Sequence, residues 1–184
     1  MNEDSDEALV ASVVAARDAA AFEVLVRRHQ SRIRNWLRLL TRNSARADDL
    51  AQETFIRAWE RAHTFSGHGK FVSWLMKIAY NKFLEERRSD RLRKRIAAVS
   101  DAEGEELAAT GGDEWPDLER MLAVLSADER LTLVLCYAHG LSHSEVAEVI
   151  DMPLGTVKSH VHRAKVKIRE RFAVTESGVR TRSQ

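Results

Sequence analysis

Cysteine, proline and glycine are all scarce in this 184-residue chain, which has one, two and eight of them respectively. A single cysteine, Cys136, excludes a disulfide framework and any CxxC metal knuckle, and fits a reducing compartment. The prolines stand only at 116 and 153, and the glycines at 67, 69, 104, 111, 112, 140, 155 and 178. The stretches between are long and free of breakers, which turn-rich β folds are not. Long apolar runs are missing too. The longest, Leu131 to Ala138 with Thr132 inside it, is far too short to cross a bilayer. The opening MNEDSDE is acidic, the reverse of a signal peptide's basic start. These absences predict a cytoplasmic protein with no membrane insertion.

The balance of 29 Lys and Arg against 28 Asp and Glu conceals a segregation of charge. Bases dominate residues 1–95. Residues 96–118 carry no base and seven acids, and a basic excess returns after them. Two basic blocks around an acidic segment are the pattern of two lobes that each meet a polyanion, although a solvated face explains a charge run equally well.

Apolar residues recur at helical spacing. Phe22, Leu25, Val26, Ile33, Trp36, Leu37 and Leu40 form one stripe, and Ala47, Leu50, Ala51, Thr54, Phe55, Ala58 and Ala62 a second. Phe71, Trp74, Leu75, Ile78 and Ala79 form a third, and no strand-like alternation persists anywhere. The predicted fold is all-α, in two small helical domains. The first covers residues 1–95, a flexible acidic linker 96–116, the second domain 117–172, and a disordered tail 173–184. The linker has too little apolar density for a core, and its Trp115 reads as a staple at the next helix start or as an anchor onto a partner.

In the second lobe, Ser142 and Glu145 fit a capping box ahead of Val146, Ala147, Val149 and Ile150. Asp151-Met152-Pro153 then breaks the chain, and a longer helix starts near Leu154 with Leu154, Val157, Val161, Ala164, Ile168 and Phe172 inward. A short helix, a tight turn and a longer helix form the helix-turn-helix pattern. The second helix bears Lys158, Arg163, Lys165, Lys167, Arg169 and Arg171 against one acid, Glu170. An αα-hairpin with a solvated basic face is the alternative. In a helix-turn-helix the first turns of the second helix meet base edges, which selects Lys158, Ser159, His162 and Arg163 as readers. Thr156 and the backbone N–H groups at the helix start suit a phosphate. Lys165, Lys167 and Arg169 lie further along and supply unspecific attraction.

The first lobe presents a surface rather than a catalytic set. Between 46 and 62 the inner stripe leaves Asp48, Asp49, Gln52, Glu53, Ile56, Arg57 and Glu60 outward, and an exposed isoleucine among acids and amides is typical of a docking site. The glycine-hinged loop Phe65-Ser66-Gly67-His68-Gly69-Lys70 leads into a helix, and from Lys70 to Arg95 there are nine bases and three acids. Aromatic faces, an amide and cations together are what single-stranded DNA recognition needs. The competing assignment puts Phe65, Phe71 and Trp74 in the core. No HExxH or HxE…CxxC set marks a metal enzyme, His160 and His162 face different ways, and Cys136 reads as a packed core thiol.

The runs AFEVLVRRHQ, ARADDLAQETFIRAWERAHTF, FVSWLMKIAYNKFLEERR and LSADERLTLVLCYAHGLSHSEVAEVIDMPLGTVKSHVHRAK together resemble the extracytoplasmic-function (ECF) group of bacterial sigma factors, in the sigma-70 family. The resemblance spans about residues 6–95 and 117–172. It implies a promoter-recognition subunit of RNA polymerase, not an enzyme, with no cofactor or metal. Its implied partners are core RNA polymerase, through the beta-prime clamp and beta flap, promoter DNA both double-stranded and melted, and a membrane-linked or soluble anti-sigma factor. Residue by residue, it implies polymerase docking by Asp48, Asp49, Gln52, Glu53, Ile56 and Glu60. It places Phe65, Ser66, Gly67, His68 and Lys70 in a loop that receives a flipped base of the minus-ten element. Asn81 would read that element, with Trp74 near the melting fork and Arg57, Lys77, Lys82, Arg87 and Arg88 toward phosphates. Thr156, Lys158, Ser159, His160, His162, Arg163, Lys165 and Lys167 fall on the helix that reads the minus-thirty-five element. One departure stands out: His160-Val161 follows GTVKS where the family has Arg and Leu, and a histidine is no constant cation near neutral pH. The rival reading is a stand-alone helix-turn-helix regulator, which leaves the DDLAQETF surface unexplained.

Overall fold

The computed structural model describes residues 4–65, 67, 70–97 and 122–179, and among them every regular element is helical. The chain divides into two compact units, Met1–Leu107 and Ala108–Gln184. Residues 98–121, which hold most of the predicted linker and Trp115, lie outside the described residues, as do 180–184 of the tail.

The first unit opens with α1 (Asp6–Ala16), an element the hydrophobic spacing does not announce. Ser5 caps it by accepting from the Ala8 N–H, and Leu9, Val10 and Val13 are its buried residues. It is fastened to α2 (Ala19–Thr41) by Asp6, which takes Arg28 at 2.7 Å and the ring Nε2 of His29 at 2.7 Å. His29 is buried on the same stripe as Ala21, Leu25, Ile33, Trp36 and Leu37. Apart from the last step, those positions recur every three or four residues, so one face of α2 supplies the centre of the core. Asp18 caps α2 by accepting from the Ala20 and Ala21 N–H groups.

Helix α3 (Ser44–Arg61) starts at Asn43, whose side chain accepts from the Arg46 N–H. It buries Ala47, Leu50, Ala51, Thr54, Phe55 and Ala58, and Ala62 just beyond it is buried too, so the second predicted stripe is all inside. Helix α4 (Phe71–Ala97) contributes Phe71, Val72, Leu75, Met76, Ala79 and Phe83. Arg46 bridges Glu86 and Asp90 of α4, which joins α3 to α4.

The second unit contains α5 (Ala127–Tyr137), α6 (His143–Ile150) and α7 (Leu154–Val179). The capping box predicted at Ser142 and Glu145 is present, and a second one, Ser126 with Glu129, starts α5. Gly140 takes φ +65° in the α5–α6 turn, where a side chain would be strained. Asp151 ends α6 in the left-handed region, as Arg17 and Arg42 do at the ends of α1 and α2. Val146, Val149, Ile150, Leu135, Leu141, Val157 and Val161 are buried in this unit, and Ala164 packs with Leu122 and Leu125. Leu154, expected inward, is the first residue of α7 and is 40% exposed. The helix runs to Val179 rather than closing the domain at 172, since no breaker precedes Gly178. The Phe172 side chain lies outside the described residues.

Candidate nucleic-acid interface

On α3 the outward face carries Asp49, Gln52, Glu53, Ile56 and Glu60, all exposed, with Ile56 at 61%. Beside it lies an open groove of about 340 Å³ between α2 and α3, lined among others by Val26, Gln30, Ala51, Gln52, Phe55 and Ile56. An exposed aliphatic side chain at the edge of an apolar groove is a surface shaped for a partner. Asp48 departs from the expected outward role. It is half-buried against α2, 2.9 Å from Arg34 and 3.6 Å from Arg38. Arg57 sits 3.7 Å from Glu60.

Helix α4 places Lys77, Asn81 and Arg88 outward, with Arg87 half-buried over the Phe83 ring at 5.6 Å. Lys82, expected toward phosphates, is engaged within the unit. Packing of α3 on α4 brings Glu53 to 3.2 Å from its ammonium, Glu85 lies at 3.5 Å, and the Lys82 side chain is only 19% exposed. A residue assigned to docking and one assigned to DNA are thus each other's counter-ion.

The loop before α4 is described at Phe65, Gly67 and Lys70, while Ser66, His68 and Gly69 lie outside the described residues. Gly67 has φ +75°, and nothing approaches the position its Cβ would take. Phe65 is half-buried, with its ring 5.6 Å from Phe71 and 5.8 Å from Trp74, which in turn lies 5.4 Å from Phe71. Phe71 is also 5.5 Å from His29. Phe71 is therefore core, and Phe65 and Trp74 form the half-buried edge of an aromatic cluster beneath the loop. The Lys70 carbonyl accepts from the N–H and the hydroxyl of Ser73, which fixes where α4 begins.

On α7, Lys158, Ser159, His162, Arg163 and Lys165 are exposed, and Thr156, His160 and Lys167 half-buried. The N–H groups of Thr156 and Val157 donate to the Pro153 carbonyl. The Ser159 hydroxyl donates to the Gly155 carbonyl at 2.9 Å. Lys165 stands 5.0 Å over the Tyr137 ring. Neighbouring Cys136 is half-buried rather than fully packed; burial pushes its thiol up, against the opposing charge of Lys165.

The residue the sequence reading missed is Glu129. Its side chain is 4% exposed. Oε2 accepts from the Ser126 N–H at 2.9 Å and from Lys167 at 2.7 Å, while Oε1 lies 3.4 Å from Arg163 Nε. Burial pushes this carboxyl up, yet the bonds from Lys167, Ser126 and Arg163, with the charge of Lys167, outweigh it and hold it at about 2. Arg163 Nη2 also lies 3.0 Å from His160 Nδ1, and a guanidinium has no acceptor, so that ring nitrogen must accept. The predicted base reader and the predicted unspecific anchor thus share one acid.

A helical unit with a docking face and an aromatic-basic helix, and a second unit built as a helix-turn-helix with a basic second helix, define a DNA-reading protein that also binds a protein partner. Residues 25–93 match sigma-70 region 2, and residues 116–168 match sigma-70, region 4. The chain is 31% identical over 174 residues to the ECF RNA polymerase sigma factor SigL of Mycobacterium tuberculosis, covering 91% of this chain and 97% of that one. It is 34% identical over 183 residues to the ECF RNA polymerase sigma factor SigE of Mycolicibacterium smegmatis, covering 93% and 70%. Among solved structures, CnrH in complex with the cytosolic domain of CnrY is similar with a TM-score of 0.65 at 26% identity, covering 93% of this chain and 99% of that one. The sigma factor RpoE in complex with the anti-sigma factor NepR from Bartonella quintana gives a TM-score of 0.65 at 28% identity, covering 83% and 97%. The chain belongs to the ECF group of sigma-70 family RNA polymerase sigma factors.

Proposed function

We propose that this sigma factor docks on core RNA polymerase through the exposed face of α3 and reads promoters with both units. Asp49, Gln52, Glu53, Ile56 and Glu60 form the docking surface. Asn81 and the Phe65–Lys70 loop take the melted minus-ten strand, with Trp74 at the fork and Lys77, Arg87 and Arg88 toward phosphates. Lys158, Ser159, His162 and Arg163 enter the major groove at the minus-thirty-five element. The protein works in the cytoplasm, with no catalysis of its own, and an anti-sigma factor restrains it by covering these faces. That last element is supported by two structural neighbours, RpoE with NepR and CnrH with the cytosolic domain of CnrY.

The observation that carries the reading is Ile56, 61% exposed beside an apolar groove and among acids on a helix whose other face is fully packed. Replacing Asp49 with Lys and Ile56 with Glu leaves the α3 core stripe untouched. The double variant is expected to keep its helical circular dichroism and to lose co-elution with core RNA polymerase. Undiminished core binding would remove the docking assignment. A gel shift on promoter DNA that needs core polymerase separates this reading from a stand-alone regulator, which would shift DNA alone.

A further inference from the structure

The second unit contains one buried carboxylate with more than one task. As the third residue of α5, Glu129 closes the capping box by accepting from the Ser126 N–H. The same carboxylate reaches across to α7, where it holds Lys167 at 2.7 Å and Arg163 Nε at 3.4 Å. Capping asks only for an acceptor, which glutamine supplies as well as glutamate. The negative charge is what the two bases of α7 require. That charge is permanent: the carboxyl titrates at about 2, so it stays ionised at any pH at which promoters are bound.

Arg163 is gripped from two sides, by Glu129 on α5 and by His160 one turn earlier on α7. A guanidinium recognises guanine through two parallel donors, so its usefulness depends on the plane in which it is held. Its side chain is nevertheless half exposed, which leaves donors for a base edge. Lys167 is nearly as exposed, at 42%, but its ammonium sits closer to the carboxylate, 2.7 Å away against 3.4 Å for Arg163.

We infer that Glu129 is a specificity-positioning residue: it aims Arg163 at a base edge with His160 as the second support, and it withholds Lys167 from the DNA backbone. This rests on Arg163 being a base reader. The two functions give opposite signs when the charge is removed. Losing the aim lowers discrimination between sequences, whereas releasing Lys167 adds a cation that any phosphate can use.

The test uses holoenzyme reconstituted from core RNA polymerase and the full chain, bound to promoter fragments varied one base pair at a time across the upstream element at several salt concentrations. Glu129→Gln keeps the cap and removes the charge. Its expected result is a preference weakened about fivefold or more at a single upstream pair. Along with this, the slope of log affinity against log salt should steepen by about 0.9, the value of one added phosphate contact. Adding Lys167→Met should restore the slope and leave the preference weakened. An unchanged preference profile in Glu129→Gln, or a loss of affinity shared equally by all sequences, overturns the proposal and leaves Glu129 a capping residue. If Glu129→Gln does not melt cooperatively, His160→Ala decides, because it removes the other support without touching α5; an unchanged preference there overturns the proposal too. Arg163→Ala separates the two levels. No change of preference in that variant removes the reader itself, whereas a change there with none in Glu129→Gln removes only the positioning.

Discussion

The two units handle charge in different ways. In the first, ion pairs are many; Lys82 with Glu53 and Asp6 with His29 are better covered, but most are partly exposed at the surface, as with Arg46 against Glu86 and Asp90 and Arg34 and Arg38 against Asp48. Such pairs are individually worth about 0–1 kcal/mol, so this unit stands on its apolar centre. In the second unit the core is smaller, and one acid that is 4% exposed holds two bases. Removing one partner of a buried pair leaves an uncompensated charge, which costs several times more than losing a surface pair. The first unit can therefore alter its working surface cheaply. The second cannot, because a single carboxylate both caps α5 and holds two bases of α7.

The largest break in the comparison comes from Trp36, fully buried and stacked on Tyr80 with centroids 6.1 Å apart. Trp36→Ala is expected to cost about 3–5 kcal/mol. Urea titration followed by far-ultraviolet circular dichroism should show loss of the first unit's helices with those of the second unit retained. A cost below 1 kcal/mol would refute the claim that the apolar centre carries this unit.

Next is the acid dependence of the second unit. The Glu129 carboxyl is lowered from 4.5 to about 2 in the folded state. A lowered folded-state value means that the contribution is complete above about 4.5 and fades as pH falls through about 2. A shift of that size corresponds to about 3 kcal/mol. Denaturant titrations of the native chain and Glu129→Gln should differ clearly at pH 7 and converge toward pH 2. A constant difference across that range would show that the charge contributes nothing to folding.

A smaller effect separates reading from packing within the first unit. Trp74 has two ring neighbours, whereas Asn81 is exposed on α4. Trp74→Ala should cost about 1–3 kcal/mol of stability and Asn81→Ala under about 0.5. On pre-melted promoter DNA, Trp74→Ala should recover open-complex formation better than Asn81→Ala. Equal recovery would show that Asn81 does not read a base. Also small is the effect of Arg46→Ala, expected to cost under about 1 kcal/mol, with the cost shrinking in high salt as for an exposed pair. A larger and salt-independent cost would erase the contrast between the units.

Much of this was legible in the chain. The second stripe, Ala47 to Ala62, is buried throughout, and Ser142 with Glu145 forms the box its spacing promised. Local patterns survive because i+3 and i+4 neighbours meet in any helix. Helix α1 was hidden because EALVASVVAA is apolar on nearly every side, and only the fold decides that Val13 is buried while Val14 is 45% exposed. The long-range pairs were hidden for another reason. Asp6 and His29 are 23 residues apart, and Glu129 and Lys167 are 38, so neither partnership has a sequence period to betray it. The pairing of Lys82 was hidden on the same ground, since a base on an outward face looks free until a neighbouring helix supplies its acid.

The left-handed stops at Arg17, Arg42 and Asp151 define a margin for engineering. A non-glycine residue in that backbone region carries a steric cost of about 1–2 kcal/mol, and glycine is the usual occupant of such helix ends. Replacing Arg17 would sacrifice its guanidinium stacked 4.8 Å over Trp59, so that site has already been put to other use. Asp151 is exposed, and its cap bond comes from the backbone N–H to the Ala147 carbonyl, which a substitution leaves in place. Thermostabilisation of this chain can therefore begin at a turn, without redesigning a core or disturbing the bases of α7.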